Sequence, residues 1–287
     1  MRHLLRAAPA LLIAGLLLST PAAAQNYDHE EFIEESFKVS NGSTLMLDAD
    51  LGAVVVEGGR GSEVVVTVLK GINNVSSSAA DAMFDRYDVT FDDRGSGLTI
   101  RGEYDKPRGR VNWRKSLRVH YEISVPENID IDIKTSGGSI HVEDIAGDAR
   151  LKTSGGSLQL KNLSGDIVGR TSGGSIQGRN LGGVADLHTS GGSINIDGAG
   201  GSIEAKTSGG SINIADVDGT VDANTSGGTI RLKEIAGAVN AKTSGGSIEA
   251  EIFGQPQASS PVTSLAVYPE IFAASEANWS PLLPLSL

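Results

Sequence analysis

The sequence predicts an all-β chain, a single-chain β-solenoid (β-helix-like) wound in 18-residue coils, with one short helix in its N-terminal half. Three observations carry this. The hexapeptide Thr-Ser-Gly-Gly-Ser-Ile, or a close variant, begins at Thr135, Thr153, Thr171, Thr189, Thr207, Thr225 and Thr243, a constant 18-residue step without insertion. A fixed short period marks a unit that stacks on its own copies. Within each unit, apolar residues recur at a spacing of two, the period of a strand whose side chains alternate in and out. The composition also suits a thin aliphatic core: 37 glycines in 287 residues, 39% hydrophobic and only 5% aromatic side chains.

The columns of the repeat describe the unit. Ile140, Leu158, Ile176, Ile194, Ile212, Ile230 and Ile248 form one apolar column, and Val142, Leu160, Gly178, Ile196, Ile214, Leu232 and Ala250 stand two residues later. A third runs through Ile145, Leu163, Leu181, Ala199, Val217, Ile235 and Phe253. Two more begin at Ala149 and Leu151. The alternation changes parity at the Gly-Gly pair and again two residues after the second column, which places the corners there, with glycine expected to supply positive φ. A further glycine (Gly147, Gly165, Gly183, Gly201, Gly219 or Gly237) permits a bend or a close backbone approach. Parallel ladders between coils would raise seven repeats about 34 Å along the axis. Stacked Thr and Ser side chains are expected to bond each other across coils.

The regular repeat spans 135–254, preceded by 1–24 and 25–134 and followed by 255–287. Residues 1–24 read as a Sec-type signal peptide: Arg2 and Arg6, an apolar run from Ala10 to Leu18, and Ala22-Ala23-Ala24 as the cleavage motif before Gln25. That segment implies export to the periplasm, the cell surface or the medium. Residues 25–134 read as irregular early coils of the same solenoid. Thr44–Leu47, Val54–Val56, Val64–Val68, Val89–Arg101 and Leu117–Ile133 are its expected strands, with Asn41-Gly42 and Gly58-Gly59 as turns. A helix is expected near 77–87, capped by Ser76, Ser77 or Ser78, with Ala80, Met83, Phe84 and Tyr87 on one face. After Ile252 the pattern collapses and prolines crowd the chain. The tail reads as a terminal cap, a disordered end, or, from about Leu265, the frameshifted end of an ordinary repeat, since codons of a form that specifies Leu265-Ala266-Val267 encode Gly-Gly when read two bases on.

Charge is the next signal. Formal net charge is −11, which argues against nucleic acid as the main partner. A basic cluster nevertheless stands out as a candidate interaction patch: Arg101, Lys106, Arg108, Arg110, Trp113, Arg114, Lys115 and Arg118. It reads either as a solvated loop paired with the acidic segment Asp28 to Glu35 or as an anion site for a polysaccharide, lipid head group or partner. Lys134, Lys152, Arg170, His188, Lys206, Asn224 and Lys242 directly precede the threonines and should form an outward stripe. Asp132, Asp186, Glu204 and Asp222 form a partial acidic stripe beside it, an arrangement that discourages sideways aggregation.

No catalytic, cofactor-binding or metal-binding residues are assigned. The chain has no cysteine, which excludes disulfides, thiol catalysis and cysteine metal sites. Its histidines form no H-x-x-x-H or H-E-x-x-H pair, and the Gly-Gly-x-Gly-x-Asp nonapeptide of calcium-binding β-rolls is missing. No Gly-x-Ser-x-Gly elbow precedes a helix. No stretch of about 20 apolar residues follows the N-terminus, so no transmembrane segment is expected. β-Helical polysaccharide lyases and hydrolases wall a cleft with long insertions, which this repeat lacks. Hexapeptide acyltransferases carry three even six-residue turns per coil, unlike the uneven columns here.

Two segments carry a resemblance. Tyr121-Glu122-Ile123-Ser124-Val125-Pro126 leads through Ile129–Lys134 into Thr135-Ser136-Gly137-Gly138-Ser139-Ile140. Asn41-Gly42-Ser43-Thr44-Leu45 precedes Asp48-Ala49-Asp50-Leu51-Gly52-Ala53-Val54. Together they resemble a bacterial family of exported β-repeat proteins named putative adhesins, largely a domain of unknown function, over about residues 35–255. The resemblance implies a β-solenoid with a surface or adhesive role and no catalytic residues to carry over. The expected function is therefore that of a non-enzymatic exported solenoid that interacts with the cell envelope, its partner unknown, a cell-surface glycan or envelope protein among the candidates. The alternatives are a polysaccharide-active enzyme on a β-helix scaffold, and a hydroxyl array that binds carbohydrate or ice through outward Thr and Ser.

Overall fold

A computed structural model describes residues 27–93, 97–105, 117–252, 258–260 and 264–267. The expected signal peptide lies outside these residues, as does most of the tail after 252. The N-terminal elements are β1 (His29–Lys38), β2 (Thr44–Ala49), β3 (Ala53–Gly59), β4 (Glu63–Ile72), α1 (Ser77–Phe84), β5 (Tyr87–Asp92), β6 (Gly97–Tyr104) and β7 (Arg118–Pro126). The repeat opens with β8 (Asp130–Thr135), β9 (Ile140–Ile145), β10 (Ala149–Thr153), β11 (Leu158–Leu163), β12 (Ile167–Arg170), β13 (Ile176–Leu181) and β14 (Ala185–His188). It continues with β15 (Ile194–Ala199), β16 (Ile203–Thr207), β17 (Ile212–Val217), β18 (Val221–Thr225), β19 (Ile230–Ile235), β20 (Val239–Thr243) and β21 (Ile248–Ile252). Two short strands, β22 (Ala258–Ser260) and β23 (Ser264–Val267), complete the set.

The chain is the predicted β-solenoid, built as two facing sheets. Sheet A runs β1-β4-β7-β3-β9-β11-β13-β15-β17-β19-β21-β22, and sheet B runs β23-β20-β18-β16-β14-β12-β10-β8-β2-β6-β5. Each rung takes one strand from each sheet, and rungs pair in parallel one repeat apart, Ile194 opposite Ile176 and Ile212. The predicted columns point inward: Ile140, Ile176, Ile194, Ile212 and Ile230 are fully buried, and Val142, Ile145, Ala149 and Leu151 are buried with them. Covering each Ile, Leu or Val among them contributes about 1.5–3 kcal/mol, so the core is a stack of modest layers.

Glycine plays a different part at the first corner from the one expected. None of the paired glycines there has φ in the left-handed region. The second glycine of each pair is required by proximity: a Cβ on Gly156 would stand 2.1 Å from the Gly138 carbonyl oxygen of the rung before. The left-handed turn falls instead at the parity change inside the sheet A strands, on Asp144 (φ 60°), Asn162 (53°), Asn180 (53°), Gly198 (83°), Asp216 (56°) and Glu234 (55°). One left-handed residue there flips the alternation, so that both Val142 and Ile145 face the core. Asn and Asp tolerate that conformation better than most residues. Neighbouring copies also bond each other, Asn162 Nδ2 donating to Asp144 Oδ1 at 2.7 Å and Asn180 Nδ2 to Asn162 Oδ1 at 2.9 Å.

The threonines correct a second expectation. Thr135, Thr153, Thr171, Thr189, Thr207, Thr225 and Thr243 are 0–6% exposed, continuing the inward alternation of their strands. Each hydroxyl donates to a glycine carbonyl of the preceding rung rather than to another hydroxyl; Thr189 Oγ1 reaches Gly174 O at 2.7 Å. The same oxygen accepts the backbone N–H of Gly192 at 3.3 Å. The serine column does couple rungs, through Ser157 N–H on Ser139 Oγ and its successors. An outward threonine array for ice or sugar is therefore not present on the surface of the described residues.

The N-terminal end departs from chain order. β3 lies between β7 and β9, and β2 between β6 and β8, so the β2–β3 rung sits between two rungs that follow it in sequence. Antiparallel strands finish both sheets, β4 and β1 beyond β7 and β5 beyond β6. α1 follows Ser76 and buries Ala80 and Phe84, with Met83 partly covered. Tyr87, expected on the helix, is instead the first residue of β5. Its hydroxyl donates to Leu51 O at 2.8 Å and lies 2.7 Å from the Tyr121 hydroxyl. Burial pushes both phenols up, that of Tyr87 to about 12. Lys70 is buried, its ammonium donating to Glu31 Oε1 at 2.8 Å and to the Phe84 carbonyl at 3.2 Å, which ties β1, β4 and the end of α1 together. At the other end, β22 and β23 pair antiparallel with β21 and β20.

Candidate functional site

Because the 18-residue register holds from β8 to β20 and from β9 to β19, every outward position becomes a straight row along the axis. On sheet B the expected stripe forms: Lys134, Lys152, Arg170, His188, Lys206, Asn224 and Lys242 are successive register partners. Carboxylates are interleaved with it. Lys134 Nζ meets Asp48 Oδ2 at 2.9 Å, Arg170 pairs with Asp186, and Lys206 pairs with Glu204. Hydrogen bonds to Asp48 and Glu204 push the Lys134 and Lys206 ammonium groups up.

The outer face of sheet A is different. Two rows run along it, His141, Gln159, Gln177, Asn195, Asn213 and Arg231 in one, and Glu143, Lys161, Arg179, Asp197, Ala215 and Lys233 in the other. Between them lies an open groove of about 620 Å³ that crosses six consecutive rungs. Asn213 Nδ2 donates to Asn195 Oδ1 at 2.7 Å, whereas Gln159 and Gln177 are exposed and make no side-chain hydrogen bond to the described residues. Lys161 pairs with Glu143, Arg179 Nε lies 3.7 Å from Asp197, Arg231 Nε donates to Glu249 at 3.0 Å, and Lys233 Nζ sits 2.9 Å from Glu234. The Lys161 ammonium, followed by the nearby imidazole of His141, holds the Glu143 carboxyl below the usual carboxylate range. A proton-donating acid requires the opposite shift.

This groove was missed in reading the sequence, although its signal is there: an amide in the same column of four consecutive repeats. The basic cluster is the stronger signal in the linear sequence. Of that cluster, Lys106, Arg108, Arg110, Trp113, Arg114 and Lys115 lie outside the described residues. Arg101 and Arg118 are exposed on β6 and β7, in different sheets. Arg101 lines a second concavity of about 710 Å³ together with Asp48, Asp50, Asp88, Glu103 and Lys134, so its surroundings are acidic. Among the described residues, no three His, Cys, Asp or Glu side chains come together to hold a metal ion, and no helix is long and apolar enough to cross a membrane.

Comparison with known proteins places this geometry. The Toastrack DUF4097 family matches residues 43–266. A putative adhesin from Bacteroides fragilis has a similar structure, with TM-score 0.50 at 19% identity over 77% of this chain and 97% of that one. A putative adhesin from Parabacteroides distasonis gives TM-score 0.45 at 17% identity over 77% and 97%. A protein named a putative lipid binding protein, also from Parabacteroides distasonis, gives 0.44 at 16% over 77% and 96%. At these identities the likeness is one of fold. No curated protein matches the sequence.

Proposed function

The chain belongs to the Toastrack DUF4097 family, and on that footing we propose that it is a non-enzymatic, exported scaffold of adhesin type that binds a component of the cell envelope along its solenoid. One observation carries the reading: the sheet A groove runs across six rungs without an insertion to wall it. β-Helical hydrolases and lyases wall a cleft with long insertions, and a hydrolase further needs a proton-donating acid, whereas the Glu143 carboxyl beside this groove is held below the usual carboxylate range. A long open face suits repeated weak contacts with an extended partner, and repetition converts weak contacts into avidity. The arginine and lysine ion pairs on that face are exposed and worth about 0–1 kcal/mol each, so a partner can exchange them at little cost. The N-terminal segment read as a signal peptide supplies the route of export.

The test uses the chain from Gln25 onward, immobilised and offered fragments of bacterial cell envelope. Capture of the fragments, with no release of new reducing ends from envelope polysaccharide, is the expected result. Sustained release of reducing ends would overturn the non-enzymatic reading, and failure to retain any fragment would overturn the scaffold.

A further inference from the structure

The composition of the sheet A groove assigns it a ligand class, an inference that rests on the scaffold reading above. We propose that the groove binds an anionic polysaccharide laid along the solenoid axis, its carboxylates on Lys161, Arg179 and Lys233 and its hydroxyls on the amides of Gln159 and Gln177.

Three features lead there. The first is local charge. In a chain of formal net charge −11, the residues lining the groove include four Lys or Arg (Lys161, Arg179, Arg231 and Lys233) and one carboxylate, Asp197, and each cation is paired with a carboxylate, Glu143, Asp197, Glu249 and Glu234 in turn. These pairs are mostly exposed and worth about 0–1 kcal/mol each, so the carboxylates of an anionic chain can replace the protein's own at little cost. The second is the amide row. Each carboxamide presents a donor and an acceptor side by side, a pair that matches neighbouring hydroxyls on a sugar ring. Gln159 and Gln177 have that capacity unspent among the described residues. The third is spacing. Register places the polar groups one rung apart, about 4.8 Å, and a pyranose ring advances its chain by a similar length.

Other polymers fit less well. A peptide that adds to a sheet needs an open edge, whereas these strands are paired on both sides and offer only side chains. Single-stranded nucleic acid is held by aromatic stacking platforms, and among the described residues His141 is the only ring system lining the groove.

Binding is measured by calorimetry on the same chain with three uronate polymers (polygalacturonate, alginate and hyaluronate), with dextran as the neutral polymer and with poly(dT). At least one uronate polymer should bind, more weakly as salt rises, and dextran and poly(dT) should not. Lys161→Gln with Arg179→Gln should weaken binding about a hundredfold, roughly tenfold for each charge-assisted hydrogen bond removed. Gln159→Ala with Gln177→Ala should weaken it about tenfold. Lys152→Gln, on the opposite sheet, should leave it unchanged. All these positions are on the solvent face, and melting curves matching the parent exclude misfolding. Equal binding of dextran, tighter binding of poly(dT), groove variants that bind like the parent, or no binding of any uronate polymer would each overturn the assignment. If envelope fragments are still captured when uronates are not, the ligand class alone falls; if neither is retained, the scaffold reading falls with it.

Discussion

Gly191 and Gly192, adjacent in one corner, should respond to alanine with opposite signs. Conformation alone predicts stabilisation at both, because neither has φ in the left-handed region and replacing glycine removes unfolded-state freedom worth about 0.4–1 kcal/mol. At Gly191 the nearest atom to a new Cβ is Ser172 O at 3.5 Å, an ordinary contact, so Gly191→Ala should stabilise by about that amount. At Gly192 the Cβ would stand 2.0 Å from Gly174 O and 2.4 Å from Gly174 C. Relief requires more than an ångström of movement between rungs, and the obstacle is backbone. Overpacking of this kind costs about 1–3 kcal/mol. The same movement strains the 2.7 Å bond from Thr189 Oγ1 to Gly174 O, worth about 1 kcal/mol. After the gain in chain entropy, Gly192→Ala should destabilise by about 2–3 kcal/mol. Urea unfolding followed by circular dichroism reads both variants, compared at unchanged slope. A Gly192→Ala midpoint equal to or above that of Gly191→Ala would refute the account of why the corner needs its second glycine.

Three further outcomes follow from the packing. Ile194→Asp places a carboxylate at a fully buried position between Ile176 and Ile212, where an unpaired charge is costly; a melting curve like that of the parent would refute the inward assignment. Lys70→Ala removes the contacts to Glu31 and the Phe84 carbonyl. It should cost about 2 kcal/mol, below the roughly 3–5 kcal/mol of a fully buried broken pair because Glu31 is partly exposed and regains water, and hydrogen exchange should rise in β1 and α1 while the repeats stay protected. Tyr87 has a folded pKa of about 12, above its ordinary value of 10.0. Its contribution is therefore complete below about pH 10 and is lost as pH rises towards 12, a decline of roughly 2–3 kcal/mol. Urea midpoints at pH 8 and pH 11.5 should show that loss in the parent and a smaller one in Tyr87→Phe/Tyr121→Phe.

The solenoid was legible because its apolar columns and its 18-residue step report the same periodic object. Ile140 and Val142 announce a strand, and the next copies announce its neighbours. Thr153 was legible too, since it continues the alternation of Ala149 and Leu151 into the core, but the chemistry of a hydroxyl suggested a surface ladder. The role of the second glycine was not: spacing cannot distinguish a residue that needs positive φ from one that must lack a Cβ because another rung passes close by. Asp144 and Asn162 carry the turn that glycine was expected to make. The placement of β2 and β3 was illegible for a different reason, since neither belongs to the repeat and only long-range pairing decides where they lie. The groove arises in the same way, from amides one repeat apart that become neighbours only after winding.

The displaced β2–β3 rung has a consequence for how the molecule comes into being. Asp48 must wait 86 residues for Lys134, whereas a strand in the repeats meets its successor after 18. Closing the longer loop costs about 1.4 kcal/mol more in chain entropy. As the polypeptide emerges from the ribosome, β1 meets β4 and β2 meets β6 before any repeat exists, but the other edges of β2 and β3 stay open until β8 and β9 are made. The β2–β3 rung is therefore made early and sealed late, by the first turn of the repeat.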